Sequence, residues 1–330
     1  MQNAIDQLQS AVKGLRSKPE FKVNELLSRY TTARIGGPAD VLIEVASADE
    51  LQQIVIAART VSLPIFILGG GANVLVSDAG VLGLTIINKA KRIEFRDNGQ
   101  VWCESGTVLP TLARECIAHG LGGLEWAIGV PGTVGGAVVG NAGAHGRDIA
   151  ADLVSASILD EHDELVEMSN VELQYEYRSS RIKRSQKPVV RSRNENATPL
   201  RFATGGVTRN MSYVVLAATF QLTTESRSEL EQKATEFNEY RRRTQPPGAS
   251  IGSMFKNPIG NSAGRLIDQA GLKGMAIGGA EISNIHANFF VNHGDAKASD
   301  VKALIDLAHE RVQEKFGVEL ELEIELVGEW

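Results

Sequence analysis

The stretch IGVPGTVGGA at residues 128–137, continued by GNAGAHG at residues 140–146, says most about how this sequence folds. Glycine lets backbone N–H groups approach a pyrophosphate closely, in conformations that other residues avoid. So many glycines weaken a helix or strand unless the backbone itself has a task. The alternative is that they serve tight turns and close packing between strands. The stretch indicates a ligand that carries phosphate groups, without identifying it.

Two shorter glycine runs, IGGP at residues 35–38 and GGGAN at residues 69–73, invite the same interpretation. The common templates do not fit them. After Gly69 and Gly71 comes Val74, where a dinucleotide-binding fingerprint needs glycine or alanine. The sequence contains no Gly-Lys dipeptide, which excludes a P-loop. A nucleotide in this protein must therefore be held by a different scaffold.

Composition predicts a multi-unit globular protein. The chain has 330 residues, of which 43% are hydrophobic and 22% charged. This length exceeds what one hydrophobic core usually serves, so we expect two or three packed units. The net charge is -6, and a non-specific grip on nucleic acid needs clustered Lys and Arg. We therefore expect no nucleic-acid partner.

The sequence also predicts a cytoplasmic location. It shows no signal-peptide pattern at its N-terminus and no apolar run that approaches a bilayer span. Its cysteines, Cys103 and Cys116, have no partners at metal spacing. They are typical of two buried thiols in a reducing compartment, although a redox pair is an alternative.

Strand and helix patterns divide the chain into α+β units. A strand at residues 40–45 precedes a helix with Ser47 at its cap. Further patterns predict helices at 109–119 and 226–243, a hairpin at 155–168, and a helix from Ser299 that stops at Gly317. A polar, basic segment at 181–211 interrupts the pattern, either as a surface loop or as a lid. We expect units at residues 1–85, 86–225 and 226–330.

Several segments, in this order, resemble the UDP-N-acetylenolpyruvoylglucosamine reductase (MurB) family. The resemblance runs from about Tyr30 to Gly328 and is interrupted only at 181–211. The matching segments are YTTARIGGPAD at 30–40, LGGGANVL at 68–75, VPGTVGGA at 130–137, NAG at 141–143, YRSS at 177–180, QP at 245–246, GSMFKNP at 252–258, AGRLI at 263–267 and HANF at 286–289.

The resemblance implies a fold, a cofactor and a reaction. The fold is a two-part FAD-binding domain of the vanillyl-alcohol-oxidase (PCMH) type, followed by a smaller α+β substrate-binding domain. Members of the family use FAD and NADPH to reduce the enolpyruvyl ether of UDP-N-acetylglucosamine to UDP-N-acetylmuramate, a peptidoglycan precursor. A small-molecule substrate is implied, and we expect no membrane partner and no obligate protein partner.

The resemblance also implies three catalytic residues. Arg178 stands where the family has an arginine, and its guanidinium is suited to take up negative charge that develops on the substrate carboxylate. Ser253 stands at the position of the proton donor, and it needs neighbouring groups because a free serine is a poor acid. Lys256 is a nearby candidate for that support.

Glu323 is selected by the resemblance alone. In the segment LELEIEL at residues 320–326, apolar residues alternate with glutamates, so Glu321, Glu323 and Glu325 are predicted to share one face of a strand. The family places its glutamate five residues before a terminal glycine, here Gly328. A protonated Glu323 would then donate to the substrate carboxylate beside Arg178, on a C-terminal strand that returns to the active site.

Binding residues follow in the same way. The candidates for the diphospho-sugar or the carboxylate are Tyr177, Lys256, Asn257 and Asn288. Residues 241–243, three arginines, are equally compatible with binding phosphates and with stabilising a helix end. The candidates for FAD are Arg34, Gly69, Gly70, Gly71, Ala72, Asn73, Pro131, Gly132, Thr133, Gly135, Gly136 and Asn141.

Two other functions remain open at this stage. An FAD-dependent oxidase on the same scaffold would keep the glycine runs but would not need Arg178, Ser253 and Glu323 together. A non-catalytic protein that binds a nucleotide sugar would bind the UDP-sugar tightly without flavin reduction.

Overall fold

The computed structural model describes residues 2–13, 19–188, 209–210 and 212–330. Most of the interrupting segment at 181–211 lies outside these ranges, so the choice between loop and lid stays a prediction. Its described parts are a short helix, Arg181–Ser185, and a ladder between Lys187–Pro188 and Arg209–Asn210.

The first unit is a four-stranded sheet that packs against two helices, Gln2–Val12 and Ala48–Thr60. Ser47 caps the second helix by accepting a hydrogen bond from the Glu50 N–H at 3.2 Å, as predicted. The strand Val81–Asn88 pairs in this sheet as far as Asn88, so the predicted boundary between units after residue 85 is wrong. The strand order is Lys22–Leu26, Pro38–Val45, Val81–Asn88 and Ile65–Leu68.

The second unit is a five-stranded antiparallel sheet with the predicted hairpin at one edge. Two helices, Leu109–Ala118 and Val134–Gly140, pack on it. The charged helix, Arg227–Thr244, buries Leu230 and Ala234 in the same core. It therefore belongs with this unit and not, as predicted, with the third. The strand order is Leu165–Ser169, Leu153–Leu159, Val214–Gln221, Gln100–Glu104 and Ile93–Phe95.

The third unit is a four-stranded antiparallel sheet with two helices, Ala263–Gln269 and Ala298–Phe316. The longer helix buries an apolar stripe and ends at Gly317, which adopts the left-handed conformation (φ 68°) that the sequence predicts for a helix stop. The strand order is Ala249–Ser253, Phe289–Asn292, Ala280–Ile282 and Ala276–Ile277.

The C-terminal segment returns to the first unit. Glu325–Val327 pairs in parallel with Val74–Val76, directly after the GGGAN run. The predicted strand over residues 320–326 is wrong, because residues 323–324 form a bend. Leu322 pairs with Phe255 on one side of that bend and Glu325 pairs with Val74 on the other, so the chain turns between two partners.

Both cysteines are buried and free, as predicted. Burial raises the pKa of the Cys116 thiol to about 12 and raises that of Cys103 as well. In the part of the chain that the structure describes, no helix is long and apolar enough to cross a bilayer.

Candidate active site

All three units contribute residues to a cavity of about 1110 Å³. One group of lining residues, which we call the glycine wall, consists of residues 69–72, 129–133, 135–137, 139 and 140. A second group of lining residues, which we call the ion-pair wall, consists of four charged side chains. They are Arg178, Lys183, Glu323 and Glu325. Ser253 also lines the cavity, so the three predicted catalytic residues meet in one place.

Two glycines of the glycine wall serve packing. A Cβ atom at Gly69 would lie 2.2 Å from Thr133 Oγ1, and one at Gly70 would lie 2.8 Å from the Cα of Gly132. Since real Cβ atoms do not approach so closely, the two glycine-rich segments touch only because both side chains are missing. At these positions the close-packing interpretation is correct.

Other glycines leave open space on the cavity side. A Cβ at Gly136 would meet its nearest atom at 3.9 Å, and one at Gly140 would meet nothing within 4 Å. They lie one turn apart on the helix Val134–Gly140 and both line the cavity. Because no protein atom needs this room, it is available to a ligand that approaches the backbone closely.

The GGGAN run also presents hydrogen-bond donors. Within the described residues, the N–H groups of Gly70, Gly71 and Ala72 donate to no protein acceptor, whereas the Gly71 carbonyl accepts from Thr32 N at 3.0 Å. Successive free N–H groups form an anion-binding concavity. The open glycine faces and these donors fit the pyrophosphate of FAD.

Arg178 sits at the tip of a tight turn. Glu176 and Ser179 exchange two backbone hydrogen bonds, of 3.0 and 3.1 Å. Arg178 adopts a left-handed conformation (φ 56°) at the position where such turns usually place glycine. A long side chain in this conformation costs about 1–3 kcal/mol and is characteristic of functional sites. The strain therefore supports a functional requirement for the guanidinium here.

The guanidinium is held from two sides. Its Nε donates to Glu323 Oε1 at 2.7 Å, and its Nη2 donates to the Gly143 carbonyl at 2.8 Å. Tyr177 packs against it, with 5.2 Å between the ring centre and Cζ. Glu323 thus acts as a hydrogen-bond acceptor in an ion pair. The predicted role of Glu323 as a donor to the substrate carboxylate stays a prediction.

A second ion pair lies beside the first. Lys183 Nζ is 3.8 Å from Glu325 Oε1 and also donates to the Arg178 carbonyl at 3.3 Å. Sequence analysis did not select either residue. The only signal was position, since Glu325 follows Glu323 by two residues and Lys183 follows Arg178 by five.

Ser253 ends the strand Ala249–Ser253, after Gly252 in a left-handed conformation (φ 87°). The predicted helper of Ser253, Lys256, makes its ion pair elsewhere. Its Nζ lies 3.0 Å from the exposed Glu321, and Lys256 does not line the cavity. The structure therefore gives no support to Lys256 as a helper of the serine.

Six of the predicted binding residues lie outside the cavity lining, and some of them have structural roles. Asn288 is buried and exchanges hydrogen bonds with the N–H and carbonyl of Phe255, at 3.0 and 2.8 Å. Asn257 accepts from Ala263 N at 3.1 Å. Those outside are Arg34, Asn141, Tyr177, Lys256, Asn257 and Asn288. Those inside are Gly69, Gly70, Gly71, Ala72, Asn73, Pro131, Gly132, Thr133, Gly135, Gly136, Arg178, Ser253 and Glu323.

Comparison with known proteins gives the family. Residues 39–169 match the model of an FAD binding domain, and residues 244–327 match that of the UDP-N-acetylenolpyruvoylglucosamine reductase C-terminal domain. The reductases of this name from Chloroflexus aggregans and Rubrobacter xylanophilus are both 41% identical, over 93% and 94% of this chain and 97% and 96% of theirs. The chain belongs to the UDP-N-acetylenolpyruvoylglucosamine reductase family.

A solved member of the family has the same fold. The crystal structure of the reductase from Thermus caldophilus matches with a TM-score of 0.73 and 33% identity, over 94% of this chain and 99% of that one. The predicted α+β class, the FAD-binding domain and the family itself are confirmed. The individual site residues are not tested by these matches and stay predictions.

Proposed function

We propose that this protein is the FAD-dependent enzyme that reduces UDP-N-acetylenolpyruvoylglucosamine to UDP-N-acetylmuramate with NADPH, in peptidoglycan precursor synthesis. Family membership supports the reaction. The observation that carries it is the pairing of Arg178 with Glu323 in the cavity that the glycine wall also lines. An oxidase on the same scaffold needs the glycine wall alone.

FAD supplies hydride transfer between NADPH and the substrate when it is bound. The residues that fit its pyrophosphate are the free N–H donors at 70–72 and the open faces of Gly132, Gly136 and Gly140. By excluding side chains from this surface, the glycine wall lets the cofactor lie against the backbone.

Arg178 is proposed to bind the substrate carboxylate. Among the described residues, its side-chain hydrogen bonds go to Glu323 and Gly143, which leaves Nη1 for a ligand. Charge that develops on the carboxylate is stabilised by a guanidinium already fixed in place, so little reorganisation is needed. Glu323 orients the guanidinium, and its catalytic role, donation to the substrate carboxylate beside Arg178, remains part of this proposal.

Ser253 is proposed to deliver the proton to the carbon that bears the carboxylate. Ser253 lines the cavity at the third unit, where Asn288 fixes the following residues through Phe255. Asn288 acts through the backbone here, which differs from the direct substrate contact predicted from the sequence.

We also propose several properties that follow from the sequence. They are a cytoplasmic location, a small-molecule substrate, and no obligate protein, membrane or nucleic-acid partner.

An anaerobic absorbance experiment tests the function. The purified flavoprotein is bleached with NADPH and then receives stoichiometric UDP-N-acetylenolpyruvoylglucosamine. Return of the oxidised flavin spectrum without oxygen is the expected result. Bleaching that only oxygen reverses indicates an oxidase, and failure to hold flavin after reconstitution indicates a binding protein.

A further inference from the structure

The charged helix forms a part of the cavity that the proposed function has not used. Asn238, Tyr240, Arg241 and Arg242 all line the cavity near the helix end. Arg242 is exposed, whereas Arg241 is partly buried. The neighbouring Arg243 is exposed, lies over the Tyr240 ring and does not line the cavity.

Arg241 has a desolvated charge without an acidic partner. Burial lowers the pKa of its guanidinium, and no carboxylate among the described residues offsets that effect. By contrast, Arg147 of the same unit pairs with Asp152 at 2.7 Å. Because an unpaired charge is costly to remove from water, a bound anion is the natural counter-charge.

Glycine at position 129 makes room for this side chain. A Cβ at Gly129 would lie 2.7 Å from Arg241 Cδ and 2.9 Å from its Nε. It would also lie 3.1 Å from Asn238 Oδ1, so both side chains occupy the space left by the missing one. This glycine of the IGVPGTVGGA stretch therefore serves the arginine rather than a turn.

His145 completes the cluster. It occupies the tip of a hairpin between Gly143–Ala144 and Arg147–Asp148, in a left-handed conformation (φ 54°). Its ring stacks on Phe237 with a centroid distance of 4.3 Å, and its Nε2 is buried without a hydrogen-bond partner. Burial and the charge of Arg241 lower the pKa of this imidazole. A buried, unsatisfied ring nitrogen at the cavity is available to a polar ligand group.

We propose that Arg241, His145 and Asn238 form an anion subsite for the diphosphate of an exchangeable nucleotide, which is distinct from the FAD pyrophosphate site. The inference rests on the proposed function, since both the UDP-sugar and NADPH carry a diphosphate. The subsite is linked to the substrate carboxylate site by the hairpin, because Gly143 accepts the hydrogen bond from Arg178 and His145 follows two residues later.

The test compares three variants of the FAD-loaded enzyme. Arg241→Gln removes the charge, Arg241→Lys keeps it without the fork of donors, and Arg243→Gln is the matched control on the same helix. Dissociation constants are measured for UDP-N-acetylglucosamine by equilibrium titration and for NADPH by anaerobic rapid mixing. FAD content and affinity are measured in parallel.

Arg241→Gln is expected to weaken one or both nucleotides by roughly 10- to 100-fold, the effect of losing a charge-assisted hydrogen bond. Arg241→Lys is expected to fall between it and the wild type, and Arg243→Gln to bind as the wild type does. Loss of UDP-N-acetylglucosamine affinity alone assigns the subsite to the substrate, and loss of NADPH affinity alone assigns it to the reductant.

Unchanged affinity for both nucleotides in Arg241→Gln overturns the subsite, and so does a selective loss of FAD. Failure of the proposed function is a separate result, because it shows in the wild-type enzyme as a flavin that the enol ether does not reoxidise.

Discussion

The glycine wall and the ion-pair wall differ in how they can bind a ligand. The glycine wall removes side chains so that a ligand can lie against bare backbone, with Gly136 and Gly140 open toward the cavity. The ion-pair wall brings long side chains from distant parts of the chain and holds them against each other, as Arg178 and Glu323 show at 2.7 Å. The first arrangement suits a cofactor that stays bound, and the second suits a group whose charge changes during a reaction.

The largest expected effect comes from filling the glycine wall. Gly136→Phe is expected to yield a folded protein that cannot retain FAD, because the ring enters space that no protein atom occupies. Gly136→Ala is the control, and since alanine favours a helix over glycine it should stabilise the protein by about 0.5–1 kcal/mol. Flavin absorbance after reconstitution and urea unfolding of the apoproteins measure both effects. Full FAD retention by the Phe variant contradicts the assignment of this wall.

Removal of the proton donor should affect only half of the reaction. Ser253→Ala is expected to slow flavin reoxidation by the substrate about 10²- to 10⁴-fold, the usual contribution of a positioned acid. Reduction by NADPH should be preserved because no proton from Ser253 is needed there. Stopped-flow absorbance separates the two steps. Equal losses in both would show that the serine has a structural role.

The smallest expected effect is on the pH dependence of stability, through His286, which binds the same Asn288 that fixes the residues after Ser253. His286 Nδ1 accepts a hydrogen bond from Asn288 N at 3.2 Å, and burial lowers the pKa of this histidine. Because the unfolded chain then binds a proton more readily, the stabilisation is present above a pH of about 6.5 and is lost as the pH falls through the folded-state pKa.

The variant His286→Gln keeps an acceptor and removes the titration. Urea midpoints at neutral and acidic pH should therefore change less in the variant than in the wild type. An identical pH dependence would show that His286 does not contribute to it.

The glycine wall was largely predictable because its signal is local. Clustered glycines cannot be explained by a core, and their positions are adjacent in sequence. The family resemblance selected Arg178, Ser253 and Glu323, but not the direct hydrogen bond between Arg178 and Glu323, which are 145 residues apart in the sequence.

The features that the sequence did not predict depend on tertiary packing. Alternation at residues 320–326 predicted one strand, whereas two different pairing partners bend the chain after Leu322. The family resemblance selected Asn288 as a candidate substrate contact, yet both ends of its amide bind Phe255. Lys183, Glu325 and His145 were not selected as site residues from the sequence, and the fold brings them to the cavity.

The most direct test of the central claim is rapid mixing of the variant Arg178→Gln. The ion-pair wall is assigned to the substrate, so reoxidation by the enol ether should fall about 10²- to 10³-fold while reduction by NADPH stays near the wild-type rate. Arg181→Gln is the matched control, since Arg181 is exposed and does not line the cavity. Normal reoxidation in Arg178→Gln, or an equal loss in both half-reactions, would contradict the division between the two walls.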